Sequence, residues 1–136
     1  MTPVDATEIQ LAIPGAPEYL RLARLAAADA GSRVGLTFDQ LEDLRIAVDE
    51  LGFIITDGRV DSTLTLVFRL TDDAIEVVGT CADEGAGEDG SSELAPTELA
   101  RTIVAAVVDE YQLEVINGQR RFRLSKRVPD GRAPQG

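Results

Sequence analysis

Residues 44–55 read L-R-I-A-V-D-E-L-G-F-I-I and hold the first side chains whose spacing could do chemistry. A carboxylate at one helical position and an amide four residues on share a face, and together they could hold a water and a metal. Here the carboxylate is Glu50, and the residue four on is Ile54, which offers no ligand atom. Residues 83–87 read D-E-G-A-G: Asp83 is an acceptor, and Gly85 and Gly87 let the backbone turn closely beside a ligand. The same run also reads as an acidic, glycine-rich surface turn, and both readings stay open. A calcium loop fits poorly, because glycines stand where an EF-hand places oxygen ligands. The chain has no histidine and one cysteine, Cys81, so a Cys/His metal set is excluded. Cys81 itself reads as a small buried strand residue, with no imidazole to activate it.

Composition narrows the classes. The length of 136 residues suits one domain, 1–136, with an ordered core expected over about 7–127 and a tail over 128–136. A formal net charge of -11 argues against direct nucleic-acid binding, which needs a basic surface, and favours a partner with basic patches. Hydrophobic residues make up 44% of the chain, yet no apolar run approaches the ~20 residues of a membrane span. Nor does the N-terminus show the basic-then-apolar layout of a secretory signal, so a cytoplasmic protein is expected. Arg120, Arg121, Arg123, Lys126 and Arg127 form the basic cluster of the sequence. They are predicted to lie on the exposed side of the last strand and its tail; an acidic partner or a subunit contact is the alternative.

Periodicity supplies the elements that must position these groups. Ile9, Leu11 and Ile13 alternate with polar residues, which predicts a strand with one side buried. Gly15 and Pro17 open a helix whose apolar stripe is Tyr19, Leu22, Ala23, Ala26 and Ala30, ending at Gly31. Thr37 with Gln40 forms a capping box ahead of Leu41, Leu44, Val48, Leu51 and Ile55 at helical spacing, and the Asp57–Gly58 pair stops that run. Leu64, Leu66, Phe68 and Leu70 alternate along one strand, and Ile75, Val77, Gly79 and Cys81 along the next, with a turn at residues 71–73. Residues 81–96 read as a loop. The following helix starts near Pro96 and turns Leu99, Ile103, Ala106 and Val107 inward, in a heavily buried setting. Asn117 and Gly118 suit a type I′ turn between the two closing strands. The order β-α-α-β-β-loop-α-β-β implies an α+β fold, a two-layer α/β sandwich with helices on one face of an antiparallel-rich sheet.

Three stretches carry a family resemblance. The strand-to-helix entry over residues 13–24, the run F-D-Q-L-E-D-L-R-I-A-V-D-E over 38–50, and L-S-K at 124–126 resemble the bacterial anti-sigma regulatory factors. These are switch-protein serine kinases with a histidine-kinase-like (GHKL) ATPase fold. The resemblance runs from about Glu8 to Lys126 and implies the same element order. It also implies roles. Glu50 matches the general base that takes a proton from a partner's serine, and Ile54 stands where the family has a magnesium-binding Asn. Asp83, Gly85 and Gly87 match the box that meets adenine. Counting back from Asp109 and Glu110 puts the two phosphate-facing glycines at Glu98 and Ala100.

Both phosphate-end departures act in one direction. Like charges ~4 Å apart repel by about 1 kcal/mol in water and by more in a partly dry site, so Glu98 opposes polyphosphate. Ile54 removes the cation that could offset it. No cofactor is therefore expected, ATP and magnesium included, and Glu50 is expected as a vestigial base with no metal site beside it. Two functions remain from different classes. The first is a binding module that sequesters a sigma factor, with an anti-sigma-factor antagonist and a second copy in a homodimer as further expected partners. The second is a serine kinase of that antagonist using an altered ATP site. A domain of this shape with a partner outside transcription is a third, blander reading.

Overall fold

The strands form because β-branched and aromatic residues alternate with polar ones, and a two-residue period gives a sheet one dry face. In a computed structural model that describes residues 7–57, 61–82, 94 and 96–129, this gives β1 (Thr7–Pro14), β2 (Thr63–Leu70), β3 (Ala74–Ala82), β4 (Glu110–Ile116) and β5 (Gln119–Arg127). The helices are α1 (Leu20–Val34), entered through a 3-10 turn at Pro17–Tyr19, then α2 (Phe38–Thr56) and α3 (Glu98–Val107). All four strand pairings are antiparallel, in the order β1-β2-β3-β5-β4. The expected α+β sandwich and its element order are what is found. Most of the anticipated loop lies outside the described residues.

The helices cover one face of the sheet, with α1 over β2 and β3 and α2 over β3 and β5. Leu64, Leu66 and Phe68 of β2, Ile75 and Val77 of β3, and Phe122 and Leu124 of β5 meet Leu44, Val48, Leu51 and Ile55 of α2 in the core. Cys81 is buried among them, as its alternation predicts.

Helix ends are set by local chemistry. Thr37 Oγ1 accepts the Gln40 N–H at 3.2 Å and Gln40 Oε1 accepts the Thr37 N–H at 2.8 Å, the predicted capping box. Asp57 closes α2 in a left-handed conformation, φ 50°. The hairpin turn also matches, Asn117 and Gly118 both having positive φ as type I′ requires.

Four expectations need correction. Gly31 does not end α1; the helix continues to Val34 and stops at Gly35, φ 98°. Gly31 is there for closeness, because a Cβ on it would lie 2.7 Å from Leu41 Cδ2. The buried stripe of α1 is Leu20, Ala23, Ala27 and Ala30, while Leu22 and Tyr19 are exposed. On α3 the buried residues are Ala100 and Val104, while Leu99 and Ala106 face solvent. A helix packed on one side hides only the stripe nearest its neighbours, so apolar content overstated its burial. Val128, assigned to the tail, is buried and its N–H donates to the Asp73 carbonyl at 2.8 Å.

Candidate functional site

A cleft of about 260 Å³ opens between the C-terminal half of α2, the start of α3 and β5. From α2 come Glu50, Phe53, Ile54 and, just beyond its end, Asp57. Their offsets of three, four and seven residues place them on one helical face. Thr97 and Ala100 contribute from the opening turn of α3, with Pro96 and Leu94 ahead of it. Thr97 caps that helix, its Oγ1 accepting the Ala100 N–H at 3.0 Å. The last wall is Arg120 of β5, paired across the sheet with Cys81.

Arg120, like Lys126, departs from its expected place. It was expected on the exposed side of the last strand, yet it is 1% exposed and among the largest fully buried side chains. The signal was present. Arg120, Phe122, Leu124 and Lys126 share one parity along β5, and the two apolar members face the helices. Lys126 is buried with them, its Nζ donating to the Val107 carbonyl at 2.8 Å and standing 3.7 Å from Asp43. Arg121 and Arg123 occupy the opposite face, paired with Glu114 and Glu76. Arg127 is exposed.

The other candidates fall as follows. Glu50 and Ile54 stand together on the cleft wall, one turn apart and both half-buried. Ile54 turns hydrocarbon towards the position where a hard cation would need oxygen. Glu98 lies in the first turn of α3, where its carboxylate suits the helix dipole, but its side chain is exposed and off the cleft lining. Ala100 does line it. Asp83, Gly85 and Gly87 lie outside the described residues. Asp109 and Glu110, used to count back along α3, follow the helix: Asp109 accepts the Arg127 N–H at 2.7 Å and Glu110 opens β4. Among the described residues the cleft therefore combines two carboxylates, one buried guanidinium and the apolar side chains of Phe53, Ile54, Leu94, Pro96 and Ala100. Phe53 and Asp57 were not among the sequence candidates, although their spacing from Glu50 would have found them.

Among the described residues no helix is long and apolar enough to cross a membrane. Residues 13–126 match the histidine kinase-like ATPase domain family. The chain is 32% identical over 102 residues to the serine-protein kinase RsbW of Listeria innocua, covering 68% of this chain and 62% of that protein. It is 33% identical over 116 residues to the RsbW of Bacillus cereus, covering 81% of this chain and 71% of the relative. The Bacillus subtilis RsbW is 33% identical over 85 residues, covering 60% and 52%. The chain thus spans about three-fifths of the length of the first of these relatives, 62%. Because the match runs from the last residues of β1 through the α2 face bearing Glu50 and through α3 to Lys126 in β5, the chain belongs to the histidine kinase-like ATPase domain family, in the group of the serine-protein kinase RsbW.

Proposed function

We propose that this protein is an anti-sigma-factor-like regulator that binds and sequesters a sigma factor in the cytoplasm, as a homodimer, without magnesium-dependent phosphoryl transfer. An antagonist of the complex is the second partner. Kinship with RsbW supports the protein-binding role. One observation carries the loss of chemistry: Ile54, on the cleft wall one turn from Glu50, cannot supply the oxygen a magnesium ion requires. The residues on that face do not fit the metal, and phosphoryl transfer depends on a cation to neutralise developing charge. Glu98 stands off the cleft lining, whereas Ile54 and Ala100, which takes a phosphate-facing glycine position, both line it.

A second reading has its own support. Glu50 is retained and lines the cleft, and the relatives are named serine-protein kinases. In that case Glu50 acts as general base towards a partner's serine. Incubation with the host's antagonist and ATP, with and without magnesium, separates the two. The expected result is no serine phosphorylation by mass spectrometry. Phosphorylation by the wild type that disappears in Glu50→Gln establishes the kinase instead.

A further inference from the structure

The helical layer turns an apolar strip to solvent on the outer side of α1 and α2, and its Phe53 end reaches the wall of the cleft. Ile46 and Phe53 stand two turns apart on the outward face of α2, 40% and 50% exposed. On α1, Leu25 is 56% exposed, and the neighbouring Arg24 reaches across to Asp49 at 2.7 Å and ties the two helices at that level. Single exposed apolar residues are ordinary. The surrounding charge sets these apart. Along α2 run Asp39, Glu42, Asp43, Asp49 and Glu50 against one cation, Arg45, and Asp57 closes the helix. Glu42 pairs with Arg45, Asp43 with Lys126 and Asp49 with Arg24. Asp39, Glu50 and Asp57 make no ion pair among the described residues, and they give the strip an acidic rim.

We propose that this α1–α2 strip docks a basic amphipathic helix of the protein partner. The helix lays its apolar stripe over Leu25, Ile46 and Phe53 and sets its Lys/Arg flanks against Asp39, Glu50 and Asp57. The identity of the partner as a sigma factor rests on the function proposed above; the surface rests on exposure and charge. Ile46 and Phe53 are about 10.5 Å apart along the axis, the spacing at which the i and i+7 side chains of a partner helix lie along α2. In such a contact, charge complementarity speeds encounter while the apolar anchors set the lifetime.

The test is biolayer interferometry of the full chain against each purified sigma factor of the host. A second probe is a synthetic helix of about five turns, with leucines on one face and lysines on the other. Ile46→Ser with Phe53→Ser removes the anchors at constant charge, and Asp39→Asn with Asp57→Asn removes rim charge. Ile116→Ser, at an exposed position on the remote hairpin, is the comparison. Unchanged melting verifies folding. The serine pair is expected to weaken binding about tenfold or more, mainly by faster dissociation. The asparagine pair slows association at low salt, and Ile116→Ser changes neither rate. A sigma factor that binds the serine pair as tightly as the wild type overturns the surface while the function stands. If no sigma factor is retained, the function falls and the synthetic helix decides the surface. Binding to the wild type that the serine pair loses upholds it; equal binding, or none, overturns it.

Discussion

Gly79 in β3 and Phe122 in β5 are direct cross-strand partners, and the Phe122 ring fills the space a side chain at Gly79 would occupy. Phe122 is 0% exposed, so the ring has no solvent-side route of escape. Gly79→Ala is therefore expected to overpack the core and cost about 1–3 kcal/mol, read as a lower urea midpoint. Adding Phe122→Leu should recover part of that loss. A single Gly79→Ala variant as stable as the wild type contradicts the packing.

The capping box at the start of α2 offers a cleaner local test. Thr37→Ala removes the acceptor of the Gln40 N–H and should lower stability by about 1 kcal/mol. Thr37→Ser keeps the oxygen and should restore most of it. Thermal melts of the three proteins compare them directly.

Lys126 joins three elements, its Nζ donating to Val107 at the end of α3 while Asp43 of α2 stands nearby. Lys126→Met keeps the length of the stem and deletes the donor. The Val107 carbonyl then loses its side-chain partner, at a cost of about 1–3 kcal/mol. Faster amide hydrogen exchange in α3 than in β2 would locate the effect; a uniform change would point to general destabilisation instead.

Restoring the amide should not restore the site. Ile54→Asn supplies one ligand next to Glu50 and leaves Ala100 on the cleft lining in place of a phosphate-facing glycine. Calorimetry with ATP and magnesium is expected to show no binding for wild type or variant. A micromolar dissociation constant, about -8 kcal/mol, in either protein would falsify the metal-independent reading.

The sequence determined the elements, because their signals are local. Alternation in β2 and β3, the Thr37–Gln40 box and the Asn117–Gly118 turn each involve residues within a few positions of one another. The position of Glu50 one turn before Ile54 was legible for the same reason, as a spacing of four on one helix, while the missing amide at Ile54 followed from the family resemblance. Other features depended on which neighbour each face met. Nothing local places β5 between β3 and β4, and that order is what brings Arg120 opposite Cys81 and into the wall below α2 and α3. Gly31 reads as a helix stop until α2 is packed against it, and the apolar sequence of α3 cannot say that a single stripe has a partner. Burial is a property of pairs of elements, so charges such as Arg120 and Lys126 became interior only once sheet and helices were in place.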